Sequence, residues 1–210
     1  LRSPLTALVA GLDYLEHRLG DLAKQDHELL ELFEDNRLTL DSIEGLLSGM
    51  AAFTGAHSIL GPVSTIGVVE SAVQLTRWCT RRKGLAVSTH LAADVQARGT
   101  MSELVQIVVN LLTNATDEAP QRSTIHVCVV AAPEKAFIYV LDEGRGVPRA
   151  LARAIFEPFH TSKANGMGLG LSIAREMAQR NGGDLYVCYD PPPELPRTAG
   201  ACFALELARS

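Results

Sequence analysis

Apolar residues step by four and three through the front of the chain. Leu1, Leu5, Leu8, Leu12, Leu15, Leu19 and Leu22 form one such series, and Leu29, Phe33, Asn36, Leu40, Ile43, Leu47 and Met50 follow a second with one polar member. That spacing predicts two amphipathic helices with heptad seams, and the polar stretch 20–26 between them predicts a helical hairpin over residues 1–54. Two helices cannot bury such stripes against each other completely, so a four-helix bundle made by two copies of the chain is expected. Asn36 interrupts the second seam, where a polar residue fixes register at some cost in stability.

The helical pattern breaks at Gly55, Ser58, Gly61 and Pro62, which predicts a linker over 55–62. Beyond it, over 63–210, the period changes repeatedly between two and 3.6. Strands are expected near 64–66, 85–91, 124–130, 135–141, 184–189 and 201–208, and helices over 68–82, 101–119 and 171–181. This mixture predicts a two-layer α/β sandwich behind the hairpin, and α+β for the chain as a whole. No repeat period appears.

Composition narrows the classes. With 210 residues, 47% of them hydrophobic, the chain can bury a core and divide into two units. A net charge of −5 argues against nucleic acid as a main partner, because phosphate backbones demand basic surface. The basic cluster Arg77, Arg81, Arg82 and Lys83 ends a predicted helix, where cations complement the dipole. Cys79, Cys128, Cys188 and Cys202 are dispersed and read as small buried hydrophobes in a reducing compartment. No apolar run is long enough to span a bilayer, so a cytoplasmic stretch without membrane contact is expected, with any sensor, membrane-bound or soluble, upstream. Pro191, Pro192, Pro193 and Pro196 predict a stiff loop between the last two strands. His17, His27, His57, His90, His126 and His160 show no partner at metal-ligand spacing.

Candidate chemistry lies in three separated pieces. On the helix over 101–119, Asn110 and Asn114 are four apart and project from one side, opposite the buried face of Leu104, Ile107, Val108, Leu111 and Leu112. Their amide oxygens are hard neutral ligands suited to magnesium. The second piece closes a strand: Asp142 is followed by Gly144, Gly146 and Pro148. A carboxylate there can accept a hydrogen bond from an exocyclic amine such as that of adenine, while glycines let the backbone approach a flat ligand. The third piece runs from Phe156 and Phe159 through His160 and Lys163 to Gly166, Gly168, Leu169 and Gly170, just before a helix. Glycines at a helix start expose backbone N–H groups to an anion and make a phosphate cradle. No Gly-Lys-Ser/Thr follows, so this is not a P-loop, and no strand leads into it, so it is not a Rossmann fingerprint.

Together these pieces resemble the ATP-binding domain of bacterial sensor histidine kinases, within the superfamily that also holds gyrase and MutL ATPases. Asn110 to Asn114 is similar to the N box, Asp142 to Gly146 to the G1 box, Phe156 to Phe159 to the F box, and Gly166 to Gly170 to the G2 box. The resemblance covers residues 60–208 and implies ATP and magnesium as ligands. Among the ATP-hydrolysing members a Glu stands where this chain has Asn110. Asn cannot act as a general base, so the pocket resembles the kinases, which hold ATP without hydrolysing it. Lys163, in the lid, is the candidate for contact with the γ-phosphate.

The opening Leu1-Arg2-Ser3-Pro4-Leu5 resembles the second half of the kinase H box. The resemblance implies an acceptor His two positions before Leu1, a homodimer through the hairpin, and a response-regulator receiver domain docking near Ala7, Ala10, Gly11 and Tyr14. Pro4 fits the family's helix kink. Ser3 stands where family members with phosphatase activity carry Thr or Asn. Three other expectations stay open on the residues: a pseudokinase or phosphotransfer adaptor without autokinase activity; a gyrase-type ATPase, against which Asn110 speaks; and a mitochondrial-type protein kinase that labels serine, against which the leucine-seamed H-box remnant speaks.

Overall fold

The computed structural model describes residues 11, 14, 15, 18, 19, 60–91, 94–161, 163 and 167–210. The chain divides into two units, Leu1–Thr54 and Gly55–Ser210. In the first, Gly11, Tyr14, Leu15, Arg18 and Leu19 are helical, and Tyr14 and Leu15 are exposed in the single chain. The rest of the hairpin seams, with Asn36, Ser3, Ala7 and Ala10, lie outside the described residues.

The second unit runs β1 (Gly61–Ser64), α1 (Thr65–Arg82), β2 (Ala86–Leu91), β3 (Gln96–Gly99), α2 (Met101–Glu118), β4 (Thr124–Ala131), β5 (Lys135–Leu141), α3 (Gly170–Arg180), β6 (Asp184–Val187) and β7 (Cys202–Ala208). Short 3₁₀ turns at Arg149–Leu151 and Ala154–Phe156 lead into the lid. The main sheet is mixed, in the order β2-β4-β5-β7-β6, with β2 parallel to β4 and the other pairs antiparallel. β1 and β3 form a separate antiparallel pair. The unit is thus α+β.

Strand alternation divides the apolar residues between two faces. Ile125, Val127, Ile138, Val140, Phe203 and Leu205 pack with Leu104, Ile107, Leu111, Ile173 and Met177 from the helices. The opposite face carries Cys128, Tyr139, Leu141, Cys202 and Ala204, partly covered by Leu195 from the proline loop between β6 and β7. Cys128 and Cys202 are buried, while Cys79 and Cys188 are half-buried. Burial pushes the Cys128 thiol up to about 11, so it stays protonated and packs as a hydrophobe.

The expected strand over 64–66 is corrected: β1 ends at Ser64, and Thr65 already begins α1. Ser64 is the reason. Its hydroxyl accepts from the Gly67 N–H at 2.9 Å, an N-cap that starts the helix three residues earlier than expected. β1 also begins at Gly61, inside the stretch 55–62. β3 lies outside the expected strands, because Gln96, Ala97, Arg98 and Gly99 offer only one small apolar side chain to mark a period of two. It forms because β1 pairs with it. Lys83 serves two helices: it is the C-cap of α1, its backbone N–H donating to the Cys79 carbonyl at 3.3 Å, and its ammonium donates to the Thr116 and Asp117 carbonyls at 2.6 and 2.7 Å at the end of α2, which has no basic residue in its last turn.

Candidate functional site

The site is assembled around the polar side of α2. Its opposite side is anchored by Leu104, Ile107, Val108, Leu111, Leu112, Ala115 and Thr116, all buried, so the helix cannot rotate without exposing them. That leaves Asn110 and Asn114 half-buried along one line. The Asn110 amide donates to the Gly170 carbonyl at 3.2 Å and accepts from Gln106 at 3.4 Å. Asn114 Oδ1 accepts from Lys163 at 3.3 Å. The helix, the first residue of α3 and the lid lysine are thereby brought together, as the spacing of the motifs anticipates.

Asp142 follows the last residue of β5 and is almost wholly buried. Oδ1 accepts from the Gly144 and Ala201 N–H groups at 2.7 and 3.1 Å, which leaves Oδ2 as the acceptor available to a ligand. Burial raises its carboxyl above the usual range. The two backbone bonds oppose that shift, and Glu118 adds to it.

The turn after Asp142 admits little besides glycine. A Cβ at Gly144 would come within 2.8 Å of the Glu118 carbonyl oxygen, and Gly146 has φ +71. The motif reading missed Gly200, which closes the same turn from the far strand: a Cβ there would meet Asp142 Oδ1 at 2.2 Å. A glycine just before the apolar alternation of β7 was the one signal available. Arg145 braces the turn, its Nε lying 2.8 Å from Glu118 Oε2.

The third piece ends at the start of α3. No side chain caps this helix, and its first turn has no acidic residue, so its leading N–H groups are open to an anion. Gly168 has φ +65, and a Cβ there would lie 2.5 Å from the Phe159 carbonyl carbon, so the lid backbone folds directly onto it. Leu169 is the N-cap position. Phe156 is buried edge-on to Phe203 and lies beneath the Arg175 guanidinium at 5.0 Å, whereas Phe159 is exposed, with φ 66. Arg175 in turn makes a two-pronged ion pair with Asp184, at 3.0 and 3.3 Å. Lys163 Nζ pairs with Asp117 Oδ2 at 2.5 Å, a partner that the motif reading did not single out. Gly166 and Ser3 lie outside the described residues.

The residues present suit a magnesium nucleotide: neutral amide oxygens on α2, one free oxygen on a buried carboxylate, and an uncapped helix start across from them. The Asn110 carboxamide rules out general-base activation of water from that position.

Comparisons with known proteins place the chain in a family. Residues 99–210 match the family described as histidine kinase-, DNA gyrase B-, and HSP90-like ATPase. The chain is 26% identical to sporulation kinase A of Bacillus subtilis (strain 168) over 196 residues, covering 92% of this chain and 31% of that protein. It is 32% identical to the C4-dicarboxylate transport sensor protein DctB of Rhizobium meliloti (strain 1021) over 157 residues, 73% of this chain and 24% of that protein. The chain therefore spans less than a third of the length of these relatives. The solved mycobacterial sensor histidine kinase MprB superposes with a TM-score of 0.63 at 27% identity, covering 72% of this chain and 98% of that one. On the match over residues 99–210 and these relatives, the chain belongs to the histidine kinase-, DNA gyrase B- and HSP90-like ATPase family and carries the ATP-binding core of a sensor histidine kinase.

Proposed function

We propose that this chain is the catalytic core of a homodimeric two-component sensor histidine kinase. Residues 1–54 are its dimerisation and phosphotransfer hairpin, 55–62 the linker, and 63–210 the catalytic domain. The observation that carries the reading is the convergence of Asn110, Asn114, Lys163 and the start of α3 on one side of α2, with Asp142 held at the end of β5.

In this reading, Asp142 Oδ2 accepts from the adenine amine, and Gly144, Gly146 and Gly200 keep the ring's approach clear. The open N–H groups of α3, with Gly166, Gly168, Leu169 and Gly170 before or at its start, hold the phosphates. Asn110 and Asn114 hold magnesium, which supplies charge neutralisation on the phosphates. Lys163 leaves Asp117 to meet the γ-phosphate, and Phe156 and Phe159 set the lid. The chain's contribution is positioning and electrostatics rather than covalent chemistry. The phosphoryl group passes to a histidine just upstream of Leu1, then to an aspartate on a response-regulator receiver domain. Ser3 stands in the sequence where family members with phosphatase activity carry Thr or Asn, and its hydroxyl would orient water for hydrolysis of the phosphorylated regulator.

The test uses the longer chain that includes at least about ten residues before Leu1, enough to restore the helix around the acceptor. It is incubated with γ-labelled ATP and magnesium. Acid-labile, base-stable label that disappears in Asn114→Ala is the expected result. Nucleotide binding without label overturns the kinase reading in favour of an adaptor, and phosphate release without label favours an ATPase.

A further inference from the structure

His90 on β2 and His126 on β4 are far apart in sequence but adjacent in the sheet. The parallel register sets Ser88 beside His126 and His90 beside Cys128, so the two histidines are diagonal neighbours on one face. Ile125 and Val127, on either side of His126, point into the helix-covered core. The imidazoles therefore stand on the sheet face away from α2 and α3, separate from the nucleotide pocket.

Their rings lie 5.4 Å apart between centroids, tilted by 35°, and His90 Nε2 is 3.2 Å from His126 Nδ1. Ser88 Oγ lies 3.2 Å from the same His90 nitrogen. Two zinc-type bonds of about 2.0–2.1 Å at a tetrahedral angle put their nitrogens about 3.3–3.4 Å apart. The strand register thus already holds the two nitrogens at close to chelating separation, and a metal would replace the proton they share.

Burial and the neighbouring His90 hold His126 below the ordinary imidazole value, against an opposing pull from Glu143. A neutral imidazole offers one ring nitrogen as a lone-pair donor to a metal. Glu143, whose Oε1 accepts from the Thr124 N–H at 3.0 Å, adds a negative charge near the pair. Among the described residues, no third His, Cys, Asp or Glu completes a larger metal cluster.

We propose that His90 Nε2 and His126 Nδ1 form a two-nitrogen site for a divalent transition metal of the nickel, copper and zinc class, with water in the remaining positions. Imidazole nitrogen selects these ions over magnesium, so the site does not compete for the metal that accompanies ATP. With two protein ligands the ion exchanges freely, as a sensing or regulatory site does and a structural zinc site does not.

Nickel chloride titrated calorimetrically into the nucleotide-free chain tests this. The expected result is one ion per chain, with affinity weakened at least about tenfold in His90→Gln and in His126→Gln alike. Cys188→Ser should bind nickel as the parent does, and ADP affinity should be the same in all variants. His90 lies on an edge strand and is exposed, so His90→Gln carries the test even if the change at His126 disturbs folding. Nickel binding that survives both histidine changes, or no one-to-one binding below millimolar nickel, overturns the proposal.

Discussion

Lys163 Nζ lies 2.5 Å from Asp117 Oδ2 and 3.3 Å from Asn114 Oδ1, so the lid lysine is held by the helix that carries both asparagines. The contact is partly exposed, 34% at the lysine and 48% at the aspartate, so the ion pair contributes at most about 1 kcal/mol. A nucleotide that recruits Lys163 must first break it. Asp117→Asn is therefore expected to tighten ATP binding by about two- to fivefold. Lys163→Ala should weaken ATP by about ten- to hundredfold, the scale of one hydrogen bond to a charged group. ADP, which lacks the γ-phosphate, should hardly change. The ratio of ATP to ADP affinity in the two variants is the measurement. An equal loss for both nucleotides would remove Lys163 from the γ-phosphate.

Asp142 has Oδ1 committed to two backbone N–H groups, and this makes Asp142→Asn informative. The amide oxygen must take the Oδ1 position, which turns the NH₂ toward the ligand. There it faces the adenine amine donor to donor. ATP affinity should fall by about ten- to hundredfold, whereas GTP, whose ring presents an acceptor at that place, should lose much less. The same group gives a pH dependence. Its carboxyl is raised, so protonation on acidification begins above the ordinary value of about 4. ATP affinity should decline through that window in the parent and not in Asp142→Asn. The stability sign is opposite. A raised folded value means the native state holds that proton more tightly, so this group's contribution to stability is greatest at low pH and is lost as pH rises.

The glycines of the pocket divide into two kinds. Gly144→Ala drives a Cβ to 2.8 Å from a backbone oxygen of α2, and Gly168→Ala adds a positive φ to a 2.5 Å approach on the lid backbone. Each is expected to cost about 1–3 kcal/mol. The Gly144 change should also lower ATP affinity, because the turn holding Asp142 must open. Gly170 has open space around its Cβ direction, so Gly170→Ala should fold normally. Thermal melts of the three variants, with and without ATP, separate these outcomes.

The candidate residues stand out in the sequence because each box is a short local run: Asn110 and Asn114 lie on the polar side of α2, Asp142 directly follows β5, and Gly168 and Gly170 sit just before and at the start of α3. Most elements of the catalytic unit were legible for the same reason, since β5 and α2 carry clear periods. What was not legible depends on partners distant in sequence. β3 exists through its pairing with β1, Gly200 matters because Asp142 lies against it, and Lys83 caps a helix more than thirty residues away. The His90–His126 contact belongs to the same class, because parallel register, not spacing, brings those rings together.

Asn181 is the clearest of these long-range residues and carries the last prediction. It ends α3 and is almost wholly buried. Its Oδ1 accepts from the Thr100 N–H at 2.8 Å, and its Nδ2 donates to Glu103 Oε2 and the Met177 carbonyl, both at 2.7 Å. Thr100 is the N-cap of α2 and makes no capping bond with its own hydroxyl, and Asn181 instead fixes the N-cap residue by its backbone N–H and reaches Glu103 in the first turn. Asn181→Ala leaves the part-buried Thr100 N–H without its acceptor and takes a donor from Glu103, while the Met177 carbonyl keeps the backbone N–H of residue 181, and should cost about 1–3 kcal/mol in a denaturant melt. Asn181→Asp keeps the bond from Thr100 but places a second carboxylate against Glu103. At neutral pH it should be at least as destabilising as the alanine. Its deficit relative to the parent should shrink as acidification protonates one of the two carboxyls, while the deficit of Asn181→Ala stays level. A parallel pH response in both variants would mean that Asn181 acts by packing alone and does not anchor the start of the helix that bears Asn110 and Asn114.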